Sequence, residues 1–125
     1  MSRDHRKPRV FTMADDLAVR VYHLTELLPR EERFGLCAQL RRAAVSVAAN
    51  IVEGSARATT REYGAFLNIA FGSAAEARYL LQLSSRLKFL PESEFTSADA
   101  AYGELLGALQ KLLQAVARMP SRREP

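Results

Sequence analysis

Two histidines, one cysteine and a spaced row of polar residues are the side chains with chemical potential in this 125-residue sequence. Neither His5 nor His23 has a glutamate three residues before it. That rules out the Glu-x-x-His pairs of a di-iron bundle and leaves both as surface side chains rather than catalytic bases. Cys37 has no histidine nearby in sequence and reads as a buried structural thiol. A single cysteine rules out an intramolecular disulfide and a multi-cysteine metal site, and it fits a reducing, cytoplasmic setting. Glycine-rich phosphate loops, H-E-x-x-H and G-x-S-x-G are all missing. No catalytic residue, metal or cofactor is therefore expected, and the chain reads as a non-enzyme. What remains is a polar row, Arg42, Ser46, Asn50, Glu53 and Arg57. Arg42 with Ser46 and Glu53 with Arg57 are spaced i, i+4, the signature of surface pairs worth a few tenths of a kcal/mol each. Asn50 and Glu53 could also hydrogen-bond across a subunit boundary.

Phosphate recognition is the other chemistry on offer. The formal charge is +4. Residues 1–9, with Arg3, Arg6, Lys7 and Arg9 against Asp4, and residues 121–125, with Arg122 and Arg123 against Glu124, account for all of it. Residues 10–120 are neutral, but unevenly so: Arg33 to Lys88 holds eight basic residues against three glutamates, while the flanking segments hold four basic against nine acidic. Complementary charge of that kind suits docking between subunits or a basic face offered to a polyanion. No stretch interleaves aromatic and basic residues in the manner of a base-stacking stripe.

The elements that position these residues are helical, because Ala, Leu, Arg and Glu recur at helical spacing and no strand-like alternation appears. A first helix is expected from Phe11 or Thr12 to Leu28, with Asp15 and Asp16 in its first turn and Pro29 closing it. Its core stripe is Ala14, Leu17, Val21, Leu24 and Leu28. The second runs from about Arg33 to Arg57. Thr59 or Thr60 caps a third, with Glu62 in its first turn, that reaches about Lys88. A fourth starts near Ser97 and stops at Pro120, with Ala101, Tyr102, Leu105, Leu109, Leu112, Leu113 and Val116 inward. Short connections make successive helices antiparallel neighbours, an all-α, up-down four-helix bundle over residues 10–120 between a basic tail, 1–9, and a short C-terminal tail, 121–125. The N-terminus lacks the apolar run of a secretory signal, and the charge-free runs Ala43–Val52 and Tyr63–Ala75 fall well short of the roughly 20 residues that span a bilayer. No membrane role is expected.

On a helical wheel, Leu36, Leu40, Ala44, Val47 and Ile51 form the core stripe of the second helix, and its polar residues other than Arg41 share a band about 80° wide. The opposite flank carries Cys37, Val45, Ala48 and Val52. The third helix, after a core stripe of Tyr63, Phe66, Leu67, Ala70, Ala74, Ala77 and Leu81, still points Ile69, Phe71, Tyr79 and Leu83 elsewhere and carries small residues on its back, Gly64, Ala65, Gly72 and Ala75. Two adjacent helices with surplus apolar surface predict self-association, with Val45, Ala48, Asn50, Val52, Glu53, Ile69, Phe71 and Tyr79 at the interface.

Three blocks carry a resemblance: "VYHLTELLPREERFGL", "GLCAQLRRAAVSVAANIVEGSAR" and "EYGAFLNIAFGSAAEARYLL". Together they resemble, over about Val10 to Leu90, the small bacterial four-helix-bundle proteins encoded in intervening sequences of 23S ribosomal RNA genes, also called S23 ribosomal proteins. Gln39, Leu40, Arg41, Arg42, Ala43, Ala44, Ser46, Asn50, Ile51, Glu53 and Gly54 match the family's second block. Ala48 stands where the family often has proline, so a kink there is not expected; Phe71 replaces a commonly basic residue and Phe11 a usual tryptophan. The resemblance, which extends to the accessory proteins of diversity-generating retroelements, implies a five-fold ring and a nucleic-acid-associated partner such as a reverse transcriptase. The expected function is thus a ring-forming, non-enzymatic protein that binds RNA or a nucleoprotein through Arg6, Lys7, Arg9, Arg41, Arg42, Arg57 and Arg61. The alternative is a protein-protein adaptor or scaffold without nucleic-acid binding.

Overall fold

The computed structural model describes residues 6–120, with side chains from residue 9. Four helices, α1 (Arg6–Thr25), α2 (Leu36–Ser55), α3 (Thr60–Arg86) and α4 (Glu92–Ala117), and one 3-10 turn (Arg30–Glu32) make up the fold, and no strand occurs among the described residues. Helix α1 starts at Arg6 rather than near Phe11. Pro8 falls in its first turn, where a missing N–H is harmless, and Val10 extends the buried stripe by one turn. Asp15 and Asp16 are accordingly mid-helix, not in the first turn. Helix α4 likewise starts at Glu92, earlier than Ser97, because Glu92 and Glu94 suit the positive end of the helix dipole and Phe95 packs against the core.

The other ends show why the chain breaks where it does. Before α2, the N-cap residue is Gly35, which has no capping side chain; Glu32 reaches over instead and its Oε1 accepts from the Leu36 N–H at 3.1 Å. Helix α2 then runs unbroken through Ala48. Thr59 caps α3 as expected, accepting from the Glu62 N–H at 3.1 Å. Helix α3 ends with Lys88 at φ 67°; Lys88 donates to the Ser85 carbonyl and Phe89 to the Ser84 carbonyl, both at 2.9 Å, a Schellman closure with lysine at the left-handed position.

Consecutive helices are antiparallel, and named contacts set their register. Arg41 of α2 bonds Thr25 at the end of α1, Ser46 of α2 faces Ser73 of α3, Arg78 of α3 pairs with Asp99 of α4, and Thr60 donates to the Pro120 carbonyl. Helix α4 also packs on α1, closing one core. That core is Val10, Ala14, Leu17, Val21 and Leu24 from α1, the expected α2 stripe, Tyr63, Leu67, Ala70, Ala74, Ala77 and Leu81 from α3, and Tyr102, Leu105, Leu109, Leu112 and Val116 from α4. Phe66, Leu28, Ala101 and Leu113, expected inside, are only half-buried.

Helices α2 and α3 leave no room for a side chain at Gly54, where an added Cβ would lie 2.9 Å from Phe66 Cβ and 3.1 Å from Tyr63 Cδ1. Gly→Ala inside a helix ordinarily gains about 0.5–1 kcal/mol, but overpacking costs about 1–3. Because the clashing atoms sit at the root and ring of anchored side chains, overpacking wins. Gly54→Ala should therefore destabilise the fold by about 1–2 kcal/mol in urea denaturation, whereas Gly107→Ala, whose Cβ would meet nothing within 4 Å, should stabilise it by roughly 0.5–1. Lys88→Gly should raise stability by about 1 kcal/mol through relief of the left-handed backbone. Hydrogen bonds from Arg78 hold the Asp99 carboxyl below its usual range against a smaller opposing effect of burial, with Gln82 assisting. A depressed folded-state value adds stability above the unfolded pKa that is lost as the carboxylate protonates. The melting-temperature advantage of wild type over Asp99→Asn should hold at neutral pH and shrink below pH about 4.

Candidate functional site

The basic candidates divide between the two ends of the bundle. Arg41 is committed internally: its Nε donates to Thr25 Oγ1 at 2.7 Å, Nη2 donates to the Tyr22 carbonyl at 3.3 Å, and the guanidinium lies 4.5 Å from the Tyr22 ring centroid. An arginine there satisfies the Tyr22 carbonyl in the last turn of α1 and sits at the negative end of its dipole. Arg57 is also held, ion-paired with Glu53 and 5.0 Å from the Phe66 centroid. Arg9, Arg42 and Arg61 are exposed, while the Arg6 and Lys7 side chains lie outside the described residues. Antiparallel packing brings Arg9, Arg57 and Arg61 to one end and leaves Arg41 and Arg42 at the other, about 22 Å away along α2 at 1.5 Å per residue. The six arginines and one lysine named from sequence do not form one patch. Exposed Arg118 joins the first end, because α4 finishes where α3 begins; its place two residues before Pro120 is the signal in the sequence.

At the second end, Tyr22, Arg33, Phe34, Cys37, Arg41 and Arg42 line much of an open groove of about 490 Å³. Arg33 lies 5.4 Å from the Phe34 centroid, and Phe34 is 88% exposed. Aromatic and basic residues therefore do converge. No such stripe is visible in the sequence because the members come from α1, the turn before α2 and α2 itself, segments brought side by side only by the fold. Cys37 backs this groove, buried and free, with Sγ 3.9 Å from the Thr25 carbonyl.

The polar row on α2 splits by function. Ser46 Oγ and Ser73 Oγ are 2.8 Å apart, and Asn50 Nδ2 donates to the Ser46 carbonyl at 2.8 Å and to Ser46 Oγ at 3.0 Å. Both residues are half-buried; Ser46 links α2 to α3 and Asn50 backs it from one turn further along α2, so that part of the row is structural. Among the apolar candidates, Val45, Val52, Ile69 and Tyr79 are 44%, 55%, 51% and 58% exposed. Phe71 and Leu83, expected to point away, instead pack half-buried against the core, as does Ala48. Burial without a hydrogen-bond partner pushes the Tyr102 phenol well above its usual range. Among the described residues no group of three or more His, Cys, Asp or Glu could hold a metal, and no helix is long and apolar enough to cross a membrane.

Residues 6–111 match the family described as 23S rRNA-intervening sequence protein. A crystal structure of a protein of unknown function from the S23 ribosomal protein family of Bacteroides thetaiotaomicron superposes with a TM-score of 0.81 at 25% identity, over 87% of this chain and 98% of that one. No protein with a curated description matches the chain. With the family pattern covering all of α1 to α3 and most of α4, the chain belongs to the 23S rRNA-intervening sequence protein family.

Proposed function

We propose that this protein is a non-enzymatic, self-associating helical bundle of the cytoplasm that binds RNA or a nucleoprotein through one basic end. The observation that carries the reading is the exposure of Arg9, Arg61 and Arg118 at the end where α1 and α3 start and α4 stops. The segments holding Arg6, Lys7, Arg122 and Arg123 adjoin that end in sequence. Contacts of this type are to phosphates; they position a nucleic acid without reading its bases. The family name, which ties these proteins to intervening sequences of 23S rRNA, supports RNA over other polyanions. Self-association, as the five-membered ring that the family resemblance implies, would multiply such an end around one rim and raise affinity through multivalency. A reverse transcriptase bound to its nucleic acid is one nucleoprotein of the required kind.

A second reading, a protein adaptor that binds no nucleic acid, draws on the exposed Phe34, Val45, Val52, Ile69 and Tyr79. Salt titration separates the two. Affinity for single-stranded RNA should fall steeply with salt, and the log-log slope should shrink by about 0.7 for each phosphate contact removed. Replacing Arg9, Arg61 and Arg118 by glutamate should weaken binding and flatten that slope. A flat salt dependence in wild type, or an unchanged slope in the triple variant, would leave only the adaptor reading.

A further inference from the structure

The outward stripes of α2 and α3 are complementary in size and in charge. On α2, Ala38, Arg42, Val45, Ala49 and Val52 follow one another at spacings of four and three, opposite the core stripe; all are exposed except half-buried Ala38. On α3, Ala65, Ile69, Gly72, Glu76 and Tyr79 do the same and all are exposed. Each is an apolar seam of heptad spacing interrupted by one charge, and the two charges are opposite. Set side by side antiparallel with Arg42 against Glu76, the seams pair Ala38 with Tyr79, Val45 with Gly72, Ala49 with Ile69 and Val52 with Ala65. Every apolar layer then combines a large residue with a small one. A parallel register with the same ion pair sets Val45 against Tyr79 and Val52 against Arg86, large on large.

We infer that the α2 seam of one copy docks antiparallel on the α3 seam of the next, a head-to-tail contact that propagates around a closed ring. The inference rests on the self-association part of the proposed function and specifies its geometry. Two features of the subunit favour closure. Rotation about an axis along the bundle preserves helix direction, so it places α2 of one copy antiparallel to α3 of its neighbour; a two-fold axis across the bundle would make them parallel. The heights also agree. Within the subunit Ser46 faces Ser73, and Gly54 lies against Phe66. Arg42 therefore stands level with about position 77 of α3, a single residue or roughly 1.5 Å from Glu76. A contact with so little axial displacement closes flat instead of winding into a filament. Because the seams lie on neighbouring corners of the bundle, they point in different directions and the ring closes after few subunits. The same register carries Phe34 toward the neighbour's Leu83 and Leu87, which accounts for a phenylalanine 88% exposed in the single chain.

The test uses mass by light scattering on nuclease-treated protein at high salt, with helicity by circular dichroism confirming that each variant is folded. Val45→Glu and Ile69→Glu should each be monomeric, since each loses one seam. Mixed together, they should form a 1:1 dimer and nothing larger, because one intact seam remains on each partner. Arg42→Glu and Glu76→Arg, read after nuclease treatment at moderate salt because high salt screens the pair, should each weaken the wild-type assembly, and the double variant should restore its mass. A monomeric wild type, a single-seam variant that keeps the wild-type mass, or a mixture that stays monomeric overturns the inference. The same holds if the substitutions abolish RNA binding while leaving the mass unchanged, which would assign this face to nucleic acid. Since nuclease and salt remove RNA from the measurement, failure of RNA binding leaves these masses untouched, and failure of the seam leaves the salt titration to stand or fall separately.

Discussion

The close antiparallel approach of α2 and α3 is the constraint on which the rest of the molecule depends. It is possible because Gly54 presents no side chain to Phe66 and Tyr63, and because the alanines of α3, Ala70, Ala74 and Ala77, keep its buried face thin. The Ser46–Ser73 hydroxyl pair, with Asn50 donating to Ser46 from behind, then fixes register, since two hydroxyls half-removed from water meet in one alignment. Both outward seams and both basic ends inherit their heights from that alignment.

Much of the charge holds the bundle together and is not available to a partner. Glu32 caps α2, Arg41 terminates α1, Arg57 lies on Phe66 beside Glu53, and Arg78 forks onto Asp99 while resting over Gly103. Helix ends leave unsatisfied N–H and C=O groups, and in a bundle with short connections the side chains of the neighbouring helix are the nearest source of partners. The excess of basic residues between Arg33 and Lys88 thus overstates the free positive surface. Arg33, Arg42, Arg86 and Lys88 stay exposed toward one end of the bundle and Arg61 at the other.

The surplus apolar surface has a different logic. Single exposed valines are ordinary on a protein surface. Here Val45 and Val52 recur on one helix face, with Ile69 and Tyr79 on another, and Phe34 stands almost free at the bundle end. Small residues between the large ones, Ala49 on α2 and Gly72 on α3, let a second helix approach closely enough for dispersion contacts to accumulate.

By itself the sequence determined the four helices, most of the core and the family, because apolar spacing of 3.6 residues, Thr59 with Glu62, and the proline stops are local signals that need no partner to be read. It also marked Val45, Val52, Ile69 and Tyr79 as lying off the core, by the same periodicity. Only the tertiary structure decided the early starts of α1 and α4, since Val10 and Phe95 are covered by other helices and not by their own turns. Likewise, Phe71 turns inward against the core, and Ser46 serves the α2–α3 contact, because the position of a flank depends on which helix lies beside it. The gathering of Tyr22, Arg33, Phe34, Arg41 and Arg42 around one groove, and of Arg9, Arg61 and Arg118 at one end, has the same origin: residues far apart in the chain become neighbours only when antiparallel packing sets their heights.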